Sequence, residues 1–268
     1  SSVPDDSLNY CLKSGVHFNM TKKKDTNIRV AFPFKDLQVW QKLVIGLRYE
    51  NRFTLESDPA RFVELLLKYA EKHKAVTIQA DQIFFRARIN ISQNGKAIEL
   101  LNMGAPPKEL AGHGRLNPKG IPYFYLASDK ITAISEVRPW VGCVVTVAEC
   151  KLTQEVRLIN FSKKYFVNVP KGEEYEGSEF TWRELIAWMF SAPFDPHDDT
   201  AYVPTQYLSE RIKGAGFDGI IYDSALSPDG YNITLFDTQA AKPNSRELAN
   251  IQSIQVKAYF RDVDKKKC

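Results

Sequence analysis

Apolar positions recur at three- and four-residue steps through FKDLQVWQKLVIGLRYENRF. There Leu37, Trp40, Val44 and Leu47 fall on one side, a spacing that predicts an amphipathic helix. The next segment, LESDPARFVELLLKYAEKHK, gives a clearer one. Asp58 suits the cap, Pro59 the first turn, and Phe62, Leu65, Leu66 and Tyr69 one face, while Lys72, His73 and Lys74 place positive charge at the negative end of the helix dipole. The period then changes. QIFFRARINIS alternates as a strand does, with Arg86 and Arg88 on one side and Phe85, Ala87 and Ile89 on the other. IPYFYLAS, bounded by Pro122 and Asp129, is a short aromatic strand that puts Tyr123 and Tyr125 on one face, and DKITAISEV is a short helix capped by Ser128 or Asp129. VGCVVTVAEC and EVRLINF predict buried strands. SEFTWRELIAWMFSAP predicts a helix with Trp182, Leu185, Ile186 and Met189 inward, and YVPTQYLSERIKGAG one that ends at Gly214 or Gly216. Two strands joined by the turn-rich SALSPDG follow, and QSIQVKAYFRDV alternates as an edge strand. Residues 1–33 and 161–177 carry no period and read as an arm and a loop. The chain is α+β, with a helical N-terminal region over residues 1–78 and a second region over residues 79–268.

Composition narrows this only a little. A hydrophobic share of 44% and a charged share of 25% are those of a soluble globular protein, and 268 residues bury one good core. No apolar run spans a bilayer and the opening SSVPDDSLNYC is not a signal peptide, so no membrane association is expected. The four cysteines lack CxxC spacing; reduced thiols in the cytoplasm are the plain reading, with no metal. Lys22–Lys24 and Lys265–Lys267 contribute six positive charges, more than the whole excess of +4, so the basic character is local and nucleic-acid binding is not expected.

The chemistry concentrates in GHGRLNPKG, where three glycines, a proline and an asparagine make a loop around Arg115. A guanidinium holds phosphate or carboxylate in bidentate fashion and stays charged at any working pH. Arg86 and Arg88 line either a solvent-facing edge or an anion-binding cleft. Glu136 stands among apolar helical neighbours, either paired with Arg138 or Lys130 on the surface or stabilising positive charge that develops on a sugar carbon. Tyr125 is a packing residue or a platform for a flat base. Ser224 reads as a turn residue, and His113 as a plain loop histidine or a phosphate contact. There is no Walker loop, no HExxH and no GxGxxG after a strand.

FFRAR, GRLNPKGIPYFYLA, TAISEV, YVPTQ, GFDGIIYDS and GYNITLF, in that order over about residues 83–237, resemble the RES-domain family. The resemblance implies an ADP-ribosyltransferase-like fold with a split β-sheet core that binds NAD+ in a cleft. It implies a toxin or effector that depletes NAD+ by cleaving its nicotinamide–ribose bond; transfer of ADP-ribose to a protein or nucleic-acid target and non-catalytic NAD+ or ADP-ribose binding are the alternatives. Under it Arg86 and Arg115 hold the pyrophosphate, Tyr125 lies against nicotinamide, Glu136 stabilises the cation, and Ser224 stands beside the glutamate with Asn232 supporting its loop. It also implies an antitoxin or other regulatory protein as partner. The N-terminal helices and the block between Ile159 and Tyr202 exceed the shortest family members, and suit covering the cleft, docking a partner or forming a homo-oligomer.

Overall fold

The computed structural model describes residues 34–91, 96–162, 165, 189–191, 198 and 200–256. The expected arm over residues 1–33, both lysine triplets, and most of the helix expected in SEFTWRELIAWMFSAP lie outside the described residues.

The two N-terminal helices form where the period places them, α1 over Phe34–Ile45 and α2 over Ser57–Lys74. α1 runs into a π turn, Gly46–Glu50, closed by the Asn51 amide donating to the Gly46 carbonyl at 2.8 Å. α2 begins at Ser57, so Asp58 lies inside the first turn rather than capping it. Its buried face is Phe62, Val63, Leu66 and Ala70, and Leu65 is exposed. The four-residue steps from Phe62 pass through Leu66 and Ala70, whereas the three-residue step to Leu65 falls on the flank.

The N-terminal region is not helical to its end: it closes in β1 (Ala75–Ile78). There follow β2 (Ile83–Ile89), β3 (Phe124–Ala127), α3 (Lys130–Glu136), β4 (Val144–Leu152), β5 (Val156–Asn160), α4 (Val203–Gly214), β6 (Gly219–Asp223), β7 (Tyr231–Leu235) and β8 (Ala241–Asn250). Among the described residues eight strands join in one sheet of order β1-β5-β6-β7-β3-β2-β4-β8, and of their pairings only β5–β6 is parallel. Where a split core was expected, pairing is continuous, but a single register pair, Phe85 with Ala127, links β3 to β2. Two runs of strands thus meet at a narrow seam.

The edge strand among the described residues is one that periodicity did not announce. AKPNSRELAN forms β8 along β4; of the expected QSIQVKAYFRDV, residues 252–256 are irregular and 257–263 lie outside the described residues. AKPNSRELAN is polar and carries Pro243, so it has little of the alternation that marks a half-buried strand. An edge strand needs only one ladder and tolerates such a sequence.

Strand register sorts the side chains. Tyr125 and Ala127 share a face with Thr234 and Asn232, and these with Ile220 and Tyr222. On that face α1, α2 and α4 bury Trp40, Leu43, Leu66 and Leu208 against Ile159, Ile220 and Tyr222. α3 covers the other end of the same face, packing Ala133 against Ala87, Ala127 and Val147. The opposite face buries Phe84, Phe124, Leu126, Cys150 and Ile233. Because α2 lies in the same core as the central strands, Leu66→Ala is expected to destabilise the whole sheet by about 2–5 kcal/mol. Urea unfolding followed by circular dichroism should show a single, earlier transition.

No helix among the described residues is long and apolar enough to cross a membrane. Cys143 and Cys150 are buried free thiols.

Candidate active site

Between the two helical layers, on one face of the sheet, lies a strip floored by Tyr222, Asn232 and Ala127. Three elements bring chemistry to it: the loop ahead of β3, the last residue of α3, and the turn between β6 and β7.

The loop over residues 112–120 is tied down from within. Asn117, almost fully buried, donates through Nδ2 to the carbonyls of Gly112 and Ile121, each at 2.9 Å, and of Pro118 at 3.1 Å. Its Oδ1 accepts from the Tyr125 hydroxyl at 2.7 Å, and that hydroxyl accepts from the Leu116 amide at 3.0 Å. Burial first, and then the neighbouring Tyr222, pushes the Tyr125 phenol well above its usual range, so it stays a neutral donor. From outside, α4 clamps the same loop. Thr205 donates to the Arg115 carbonyl at 2.6 Å, and Gln206 to the carbonyls of Gly114 and Asn117 at 2.8 and 3.1 Å. The Arg115 guanidinium lies 5.6 Å from the centre of the Tyr202 ring. Its backbone is thus fixed on both sides.

Glu136 closes α3, whose first turn is capped by Asp129 accepting from the Thr132 amide at 2.8 Å. Its Oε1 accepts from Ser224 Oγ and from Asn232 Nδ2, both at 2.7 Å. Among the described residues no hydrogen bond reaches Oε2. The Ser224 hydroxyl has no choice of direction. It accepts from the Leu226 and Ser227 amides at 3.1 and 3.0 Å, so its single proton goes to the carboxylate. This turn docks closely on α3: a Cβ at Gly230 would lie 1.8 Å from Thr132 Oγ1, so only glycine fits. Ser224→Ala removes a donor to Glu136 and leaves two turn amides without their acceptor. It is expected to cost about 1–3 kcal/mol of stability, checked by thermal unfolding.

Glu136 and Arg115 meet electrostatically at Tyr222. That phenol is raised by burial first and then by the Glu136 carboxylate, with Arg115 opposing. Neither Arg138 nor Lys130 pairs with Glu136; Lys130 bonds Glu247 at 2.8 Å instead. Arg86 is placed differently. Phe85 is the residue facing Ala127, so Arg86 leaves β2 on the opposite face, beside the seam. Its Nη1 donates to the Tyr125 carbonyl at 3.0 Å, and its Nε is buried without an acceptor. Burial, then the neighbouring Arg88, lowers its pKa to about 10. Arg88 donates to the Gly104 carbonyl at 2.9 Å. His113 is exposed in the arginine loop. Ser224, Asn232 and Glu136 therefore converge directly, Tyr125 and Arg115 share one loop assembly beside them, and Arg86 reaches the site's rim only through the Tyr125 backbone.

Sequence reasoning passed over Asn117, Gln206 and Tyr222. For Tyr222 the signal was present: alternation in GIIYD puts it two residues from Ile220 on the same face. For Gln206 no local pattern announces a side chain that bonds a loop about ninety positions away.

The family model described as RES domain matches residues 88–256, well over half of the chain. The chain belongs to the RES family. No curated protein matches it. Among solved structures, one chain of the crystal structure of the M. tuberculosis MbcT–MbcA toxin–antitoxin complex overlaps 70% of this chain and 92% of its own length, at 12% identity and a TM-score of 0.36. That overlap is too loose to carry an activity or a partner across. The RES segment begins inside β2, so α1, α2 and β1 precede it, and it takes in Arg115, Tyr125, Glu136, Ser224 and Asn232 but leaves Arg86 two residues upstream.

Proposed function

We propose that this RES protein hydrolyses NAD+ at the bond between ribose C1′ and the nicotinamide nitrogen, on an ADP-ribosyltransferase-like scaffold whose catalytic unit is residues 79–268. The observation that carries the reading is the Glu136 carboxylate, held at Oε1 by Ser224 and Asn232, and sharing with Arg115 an electrostatic influence on the buried Tyr222. As the C1′–N bond breaks, its electron pair leaves with nicotinamide and cancels the pyridinium charge. Positive charge grows on C1′ and the ring oxygen, where a fixed carboxylate lowers the barrier. A water oxygen bonds to C1′ and releases a proton, so the products are nicotinamide, ADP-ribose and H+. Arg115 holds the pyrophosphate and His113 lies near enough in its loop to add a contact. Arg86 leaves β2 on the opposite face, so its part is to hold the Tyr125 carbonyl at the seam and not to touch the pyrophosphate. Tyr125 presents its ring to nicotinamide, its hydroxyl being committed to the loop.

Purified protein incubated with NAD+ should release nicotinamide and ADP-ribose in equal amounts. No release, or equal release by Glu136→Ala, defeats the reading. Glu136 is exposed, which leaves room for a bulkier acceptor than water. Transfer of ADP-ribose is therefore the second reading, and radiolabel from NAD+ appearing on protein or nucleic acid would select it. The biological setting that fits is a cytoplasmic toxin or effector that drains NAD+ and is held in check by an antitoxin. Expression in a host should then lower cellular NAD+ and arrest growth, and Glu136→Ala should relieve both.

A further inference from the structure

Arg48 lies outside the RES segment, in the π turn after α1, and its side chain is 7% exposed. Its Nη2 pairs with Asp198 Oδ2 at 2.5 Å and its Nε donates to Thr200 Oγ1 at 3.0 Å. The Thr200 hydroxyl passes its own proton to Asp198 Oδ1 at 2.8 Å, and the Thr200 amide bonds the same oxygen at 3.0 Å. These groups form one network whose hydrogen bonds run in matching directions. Thr200 in turn accepts from the Val203 amide at 3.1 Å, where α4 begins. Three consecutive structural contacts then reach the arginine loop: the Tyr202 ring under the Arg115 guanidinium, Thr205 on the Arg115 carbonyl, and Gln206 on Gly114 and Asn117.

We propose that Arg48 is a positioning residue for anion binding: it fixes the start of α4, and α4 fixes Arg115. The N-terminal helices thereby set the affinity of the site for its dinucleotide. The functional half of this rests on the reading of Arg115 as the pyrophosphate ligand; the structural half does not. A π turn suits the role, since the extra residue in the turn buries Leu47 in the core while Arg48 reaches the α4 side.

Two measurements on the full chain test this. In Arg48→Met, KM for NAD+ should rise about tenfold with kcat little changed, because binding is loosened while Glu136 is untouched. Arg48→Lys, which keeps the charge but cannot serve Asp198 and Thr200 with one fork, should fall between. Hydrogen exchange, which needs no substrate, should speed up at the Gly114 and Leu116 amides in Arg48→Met. Leu66→Ala, destabilised in the same helical layer but leaving Arg48 in place, is the control: it should leave KM unchanged and speed exchange at these loop amides no more than at amides across the sheet. The proposal is overturned if Arg48→Met moves neither quantity, or if Leu66→Ala moves them as far. Should the wild-type protein prove not to cleave NAD+, the exchange result still decides whether Arg48 holds the loop, so the two failures are told apart.

Discussion

Glu136→Gln should leave a folded protein that releases nicotinamide about 10²–10³-fold more slowly, with KM for NAD+ little changed. The substitution keeps the shape of the side chain and one carbonyl oxygen, and that oxygen can still accept from Ser224 and Asn232. What it removes is the negative charge. If the charge acts on the cation that develops as nicotinamide leaves, its loss appears in kcat, because in the ground-state substrate the positive charge is delocalised over the pyridinium ring and moves onto C1′ and the ring oxygen only as the bond breaks. Thermal unfolding should hold within about 0.5 kcal/mol of wild type, as for surface changes that leave the local bonding intact. A Glu136→Gln protein that keeps more than a tenth of the activity would show that the carboxylate is a scaffold for the turn and not the electrostatic element. Glu136→Ala is the coarser variant, because it leaves the Ser224 and Asn232 donors facing no acceptor and mixes stability with chemistry.

The residues that carry this reading were legible in unequal measure, and the reasons are physical. Strands β2, β3, β4, β5, β6 and β7 were legible because burial on a sheet demands runs of β-branched and aromatic residues, and these runs are punctuated by glycine and proline. β8 was not, because an edge strand that is exposed on most positions is under no such demand. The Asp129 cap and the short helix ending at Glu136 were legible from local chemistry alone. The meeting of Glu136 with Ser224 and Asn232 joins positions about ninety apart, and only the ordered family motifs pointed to it; periodicity could not. The same holds for Arg86. Alternation correctly separated it from Phe85, but which face Phe85 occupies is set by its register with Ala127, a tertiary fact. α1 and α2 were legible as helices, whereas their place in the same core as β5 and β6 depends on packing that no local pattern states.

Gly114→Ala and Gly112→Ala should have opposite consequences, although the two glycines sit two positions apart in a loop whose composition treats them alike. At Gly112 an added Cβ meets nothing within 4 Å. Alanine there should be neutral or up to about 1 kcal/mol stabilising, because it narrows the unfolded ensemble. At Gly114 the Cβ would stand 2.5 Å from Asn117 Oδ1 and 2.8 Å from the Tyr125 hydroxyl oxygen. Both atoms are side-chain ends, yet neither is free to yield. Asn117 is held through Nδ2 by three carbonyls, and Tyr125 is anchored in β3 and bonded to Leu116. Relief therefore requires breaking the Tyr125–Asn117 bond, which leaves buried donors and acceptors unpaired at about 1–3 kcal/mol, or moving the loop and Arg115 with it. Either route displaces the guanidinium, and a shift of about 1 Å in a binding group can cost up to about a hundredfold in effectiveness. KM for NAD+ should rise at least about tenfold in Gly114→Ala and stay at the wild-type value in Gly112→Ala. Equal behaviour of the two would mean that the Tyr125–Asn117 clasp does not hold the arginine in its working position, and the assignment of Arg115 to the pyrophosphate would lose its structural basis.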